Sequence, residues 1–196
     1  MAEYFKRRVM ERADVVVAPT VNYHFYPAFV NYPGSTSLRQ DTARDLIIDI
    51  CRTLAAHGPK RFYVLNTGVS TQTPLKAAQA LLALDGILLR FTDILAVADS
   101  VVKAVEQREG THADEIETSM MLYIAPDSVN MTKATKDFLT GTGAWTPVKS
   151  NTGNYSASGI YGDATLATRA KGENVVEATI AGILKDIEEL RSLRRP

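Results

Sequence analysis

Residues 61–91 read RFYVLNTGVSTQTPLKAAQALLALDGILLRF. RFYVLN is a short apolar and aromatic run, which suits a strand. TGVSTQT is a polar loop, PLKAAQALLALDG reads as an amphipathic helix, and ILLRF reads as a second short strand. A strand, a helix and a strand in succession imply parallel pairing in a sheet covered by helices on both faces.

The same alternation extends outward in both directions. Upstream, EYFKRRVMERA reads as a helix, DVVVAP as a buried strand and TVNYHFYPAFVNYPGSTS as a polar-aromatic loop. RQDTARDLIIDICRTLAAHG then forms a long helix, with Gly58 placed to end it. Downstream, a helix is expected over about 93–108. Ile116, Met120 and Ile124 stand four apart, so a further helix follows THAD and stops near Pro126. A last helix, over about 169–193, carries the stripe Val176, Ile180, Ile183, Ile187 and Leu190. The expectation is an α/β fold: one layered α/β/α domain over 1–196 with a mostly parallel central sheet. Ligands in such sheets sit at the carboxyl ends of the strands, so loops 20–37, 66–71 and 110–117 are expected to converge.

Composition narrows the function. The chain has 196 residues, 45% of them hydrophobic, with 22 Lys+Arg against 22 Asp+Glu. Zero net charge argues against nucleic acid or an anionic membrane as the main partner, and mildly favours self-association. Cys51 is the single cysteine and sits at helical spacing with Ile47 and Leu54, so it reads as core and not as a nucleophile. No apolar run approaches the length of a membrane-spanning helix, and MAEYFKRRVMERAD has no hydrophobic signal core. A cytoplasmic protein is expected.

Three stretches could carry chemistry. GTHADEIETS, residues 110–119, gathers His112, Asp114, Glu115 and Glu117. Such a group can supply donors to zinc or manganese, act as a general acid/base pair, or simply open an acidic helix favoured by the helix dipole. Glu117 and Met121 share a helix face, so Glu117 should point partly inward. In the first loop, Tyr23, His24, Phe25, Tyr26, Phe29 and Tyr32 surround Pro27, Pro33 and Gly34. They make a stiff wall suited to a substrate pocket, an oligomer interface or local packing. NTGVST offers Asn66, Thr67 and backbone N–H groups to a small polar substrate, but lacks the spacing and lysine of a phosphate-binding loop.

THADEIETSMMLYIAPDSVNM resembles the His-Ala-Gly-x-x-Glu-Thr-Ser helix of the creatininase (creatinine amidohydrolase) family, with Asp114 at the usual glycine. YGDATLATRAKGENVVEA resembles its Gly-x-x-x-x-Ala-Thr-x-x-x-Gly signature. APTVNYHFYPAFVNYPGSTSL and HGPKRFYVLNTGVST parallel two further stretches of the family, in order along the chain. The resemblance implies a layered α/β domain and hydrolysis of an amide or ring bond in a small cyclic polar substrate. It also implies a divalent metal centre, zinc or manganese, and a homo-oligomer, often a hexamer. Carried over by position, Glu117 is expected as a metal ligand with Asp114 beside it. His112 and Glu115 are expected in the reaction, and Tyr23, His24, Asn66 and Thr67 in the substrate pocket.

The departures are specific. Gly68 stands where the family has a histidine, Ala28 and Phe29 where it has glutamate and histidine, and His24 where it has glycine. The Glu-x-His pair that ends the family's first strand has no counterpart. The natural protein is therefore expected to begin upstream of Met1, and the chain as given to hold metal weakly. Two other readings stand beside the cyclic amide hydrolase: an inositol-derived cyclic ketone hydrolase, and a non-catalytic oligomer that binds a small molecule.

Overall fold

The computed structural model describes residues 1–94, 96, 105–149 and 153–193. It divides into two compact units. The first comprises Ala2–Tyr26, Ser37–Ala96 and Ile180–Pro196; the second comprises Met1, Pro27–Thr36 and Val97–Thr179.

In the first unit, α1 (Ala2–Met10) and α2 (Gln40–Ala55) precede β1 (Arg61–Val64), α3 (Gln72–Leu84) and β2 (Leu88–Phe91). β1 and β2 pair in parallel from Arg61 opposite Leu88 to Val64 opposite Phe91, which is the βαβ unit that 61–91 predicts. Ile47, Ile48 and Cys51 of α2 cluster with Leu75, Ala78 and Leu82 of α3 and with Leu89 of β2. Each buried Ile or Leu of this kind contributes about 1.5–3 kcal/mol. Cys51 belongs to this core, and burial pushes its thiol pKa up to about 11, so it is not a nucleophile.

The buried strand expected at DVVVAP does not form. Residues 14–20 have no ladder partner among the described residues, and Val16 is fully exposed. A run of valines favours extended backbone locally, but burial needs a neighbouring surface that local preference does not supply.

The second unit holds α4 (Glu115–Ile124) and short strands. β3 (Lys136–Asp137) pairs antiparallel with β7 (Gly162–Asp163). β6 (Gly153–Tyr155) lies between β4 (Thr140–Thr142), antiparallel, and β5 (Trp145–Thr146), parallel. The fold is α/β, with parallel pairing at β1–β2 and β5–β6 and antiparallel pairing elsewhere. β4 is exposed and β5 and β6 are half-buried, so these strands need no helical cover on both faces. α5 (Arg169–Ser192) contributes its residues to Thr179 to this unit and the remainder to the first. Its stripe Val176, Ile180, Ile183, Ile187 and Leu190 is buried throughout. α4 ends just before Pro126, as its spacing predicts. The helix expected over about 93–108 falls largely on residues outside those described. No helix among the described residues is long and apolar enough to cross a membrane.

Candidate active site at the start of α4

The four ionisable residues of 112–117 do meet at one helix start, but they are employed differently. Asp114 is the N-cap of α4: its Oδ1 accepts from the Ile116 and Glu117 N–H groups, both at 3.0 Å. These donors have no partner inside the helix, so a buried N-cap carboxylate satisfies them. The Gln107 amide donates to the other oxygen at 2.6 Å. Asp114, expected beside a metal, thus has both oxygens engaged by the chain's own donors.

Glu115 is fully buried. It accepts from the Glu106 and Gln107 backbone N–H groups at 3.0 and 2.7 Å and from Lys171 Nζ at 2.6 Å. Burial pushes its pKa up, but Lys171 and the two N–H groups outweigh this and hold it below the ordinary value. Its geometry is that of an anchor between α4, the 106–107 segment and the first turn of α5.

Glu117 and His112 are the half-buried pair that remains. Glu117 Oε2 accepts from the Ala113 N–H at 2.6 Å and lies 3.6 Å from His112 Nδ1. Burial raises the Glu117 pKa to about 6, opposed by the Ala113 N–H and assisted by the Asp114 charge. Burial lowers the His112 pKa, against the pull of Asp114. A carboxylate whose pKa is raised toward neutrality by burial is suited to general-base work at neutral pH. Ala113 adopts φ 48°, a left-handed conformation that costs an alanine about 1–2 kcal/mol. Held there, its N–H faces Glu117. Glu117 also lies on the wall of an open cleft of about 350 Å³, with Ala113, Thr118, Met121, Val129 and Asn130.

The two signature stretches form one contact. The Thr118 hydroxyl donates to the Ala113 carbonyl at 3.1 Å, and the Thr168 N–H donates to Ser119 Oγ at 3.0 Å. Gly172 packs on the backbone of Ser119 and Met120 so closely that a Cβ would overlap the Ser119 carbonyl. The 162–172 segment is therefore what seats the 112–119 helix start. Beside it, the Phe29 ring lies 4.2 Å from the His112 ring and 5.0 Å from that of Trp145.

The remaining expected residues lie in the other unit. Asn66 donates to the Gly68 carbonyl at 2.8 Å and to the Thr92 carbonyl at 3.2 Å, and the Thr71 hydroxyl donates to the Gly68 carbonyl at 2.7 Å. A Cβ at Gly68 would stand 3.1 Å from Thr71 Oγ1 and 3.2 Å from Tyr26 Cε1. The space a side chain at position 68 would need is thus already taken. Thr67 is half-buried, and Tyr23 is 64% exposed. His24 is buried, and neither ring nitrogen has a hydrogen-bond partner. Burial is the largest influence on its pKa and lowers it.

Sequence reasoning missed Gln107, Lys171 and Trp145. Lys171 lies inside the 162–172 signature at an unconstrained position, where spacing carries no signal. Gln107 and Trp145 stand in no motif.

The residues present do not make a two-metal centre. Among the described residues no three His, Cys, Asp or Glu side chains come together as a metal site. Asp114 and Glu115 are committed to internal donors. His112 and Glu117 are two donors, whereas zinc commonly takes three or four from protein.

The creatininase family model, described as creatinine amidohydrolase, matches residues 1–187. A creatinine amidohydrolase of Pseudomonas putida is 26% identical over 204 residues, which cover 93% of this chain and 78% of that protein. A mycofactocin precursor peptide peptidase of Mycolicibacterium smegmatis is 30% identical over 175 residues, 86% of this chain but only 65% of the relative. Among solved structures, a creatininase mutant of the Zn-Zn type superposes with TM-score 0.73 at 25% identity, over 96% of this chain and 80% of that one. A creatininase described with Mn superposes with TM-score 0.73 at 24% identity, over 96% and 81%.

Proposed function

We propose, from the premise that this chain belongs to the creatininase family of hydrolases, that it hydrolyses the C–N bond of an amide in a small polar substrate, a ring amide first of all. The observation that carries this reading is the His112–Glu117 pair at 3.6 Å, with Glu117 on the wall of an open cleft. Two relatives point the same way in their names, since a creatinine amidohydrolase and a peptide peptidase both cleave amides.

Amide hydrolysis needs a proton removed from water and a proton delivered to the leaving nitrogen. Glu117, with its pKa near 6, is ionised at neutral pH and basic enough to accept the first proton. His112 is neutral there and lies 3.6 Å from it, so the two would have to close up or be bridged by one water for a proton to pass between them. Glu115, expected in the reaction itself, acts instead as a positioning residue that holds the helix start through Lys171 and the 106–107 backbone. The Zn-Zn and Mn structures support a divalent ion in the family. Glu117 and His112 are the donors this chain leaves for one, and two donors would hold it weakly. Zero net charge mildly favours a homo-oligomer, and a single cysteine suits the reducing cytoplasm.

Glu117→Gln tests the assignment. Hydrolysis of creatinine or of a short peptide amide should fall at least about a hundredfold, with the thermal transition little changed. Retained hydrolysis would remove Glu117 from the mechanism. A second reading, a non-catalytic small-molecule binder, draws on the filled space at Gly68. It gains if the unmodified chain cleaves neither probe but still binds creatinine in a calorimeter.

A further inference from the structure

We propose that Phe29 and Trp145 are positioning residues for His112: their rings, and among the described residues no side-chain hydrogen bond, hold the imidazole in place beside Glu117. This rests on the reading that His112 and Glu117 are the working pair. The His112–Glu117 separation of 3.6 Å is too long to orient a ring. Rotation of an imidazole about its second side-chain torsion is broad unless packing limits it.

The packing here is closely specified. The Phe29 ring lies over the His112 ring at 4.2 Å between centroids with a 38° tilt. Trp145 meets the imidazole at 5.7 Å and 78°, and meets Phe29 at 5.0 Å and 69°. Tyr161 backs Trp145 at 6.0 Å and 89°. Each geometry falls in the tilted or edge-to-face range that aromatic pairs prefer. The rings are tied to one another through backbone as well. The Asn31 amide donates to the Trp145 carbonyl at 2.8 Å. The Tyr161 N–H donates to the His112 carbonyl at 2.9 Å, and the His112 N–H to the Tyr161 carbonyl at 3.3 Å. Three segments far apart in sequence, around 29, 112 and 145–161, thus converge on one imidazole. Phe29, Trp145 and Tyr161 are all half-buried. They line the side of a functional group and are not part of an apolar interior. A ring held on its face and on one edge keeps its nitrogens aimed along the remaining directions, one of which is toward Glu117.

The chain has three histidines and one tryptophan, so the test is spectroscopically clean. Ring protons of His112, assigned by loss of their signals in His112→Gln, should be displaced from those of an exposed histidine, upfield where the Phe29 ring covers them. In Phe29→Leu and in Trp145→Ala these signals should move toward those of an exposed histidine. Those of His24 and His57 should stay put and the amide spectrum should remain that of the folded chain. Trp145→Phe, which restores an aromatic ring, should recover most of the shift. In creatinine or peptide-amide hydrolysis, kcat should fall about tenfold to a hundredfold in the two disruptive variants with KM within about twofold, as expected for loss of orientation. Unmoved His112 signals in folded Phe29→Leu and Trp145→Ala would overturn the proposal. So would a rise in KM at constant kcat, which would make these rings a substrate wall. If nuclear Overhauser contacts between the His112 ring and the Ala113 and Glu117 protons weaken in the two disruptive variants but the unmodified chain hydrolyses neither probe, the positioning stands and the hydrolase reading falls; signals that move with those contacts unchanged report only the lost ring current and would overturn the proposal.

Discussion

The helix start at 112–119 and the loop at 66–72 are both short, polar and rich in groups that can hold a ligand, yet they end in different states. In the loop, the Asn66 amide and the Thr71 hydroxyl turn inward onto Gly68 and Thr92, and Tyr26 fills the space over Gly68. At the helix start, Asp114 and Glu115 are likewise absorbed by Gln107, Lys171 and backbone N–H groups. There, however, the supply of internal donors runs out before the acidic groups do. Glu117 keeps one strong internal bond and an open side, and His112 is held by aromatic packing. What separates the two polar clusters is the ratio of internal donors to acceptors, more than the residue types.

The largest effect that would break this comparison is at the glycines that seat the two regions. Gly172→Ala should destabilise the fold by more than about 3 kcal/mol, because its methyl would meet the Ser119 backbone, which cannot yield. Gly68→Ala should cost about 1 kcal/mol or less, because it meets the Thr71 and Tyr26 side chains at 3.1–3.2 Å and these can shift slightly. Thermal or urea melts of both variants decide it; equal effects would mean that the signature contact does not seat the helix start.

Removing an absorbed group should matter next. Glu115→Ala should cost about 2 kcal/mol, since it leaves two backbone N–H groups without their acceptor in a buried place and takes from Lys171 one partner, Glu106 and the Leu166 carbonyl remaining. Thr71→Val in the loop should cost about 1 kcal/mol, the loss of a neutral hydroxyl donor shared between the Gly68 carbonyl and Asn66 Oδ1. A Glu115→Ala protein as stable as the parent would contradict its role as an anchor.

The smallest effect is on pH dependence, and it has opposite sign at Glu117 of the helix start and at His24, which shares a unit with the loop. The folded-state pKa of Glu117 is raised to about 6 by burial, above its unfolded value. Its contribution to stability is therefore fully present below pH ~4.5 and disappears as pH rises through about 6. The full shift would correspond to about 2 kcal/mol; partial exposure to solvent brings it nearer 1 kcal/mol. The folded-state pKa of His24 is lowered by burial, so its contribution is present above pH ~6.5 and is lost as pH falls through the folded value. Urea melts between pH ~4.5 and ~7.5 should show the gain in acid vanish in Glu117→Gln and the loss in acid vanish in His24→Asn. Parallel curves for the parent and Glu117→Gln would mean that Glu117 titrates like an exposed carboxylate.

Much of this could be read along the chain. The four-residue spacing of Ile116, Met120 and Ile124, the stripe on α5 and the strand-helix-strand pattern of 61–91 all appear where the sequence puts them. Periodicity is a local property and survives into the fold because burying one face of a helix needs only some apolar neighbour. The place of the candidate site was legible too, since Asp114, Glu115, Glu117 and His112 are adjacent in sequence. The strand at 14–19 was misread for the complementary reason: three valines favour extended backbone, but only a paired neighbour makes a strand, and Val16 is left in solvent.

What each of those four residues does was decided elsewhere. The sequence by itself determined an α/β chain with an acidic helix start next to a histidine, because hydrophobic spacing and residue type carry that much. Only the tertiary structure decided that Asp114 is a cap, that Glu115 is bound to Lys171 56 positions away, and that Phe29 and Trp145 flank His112. The physical reason is that a carboxylate's role depends on which donors lie within about 3 Å of it. Those donors come from segments that no local pattern connects.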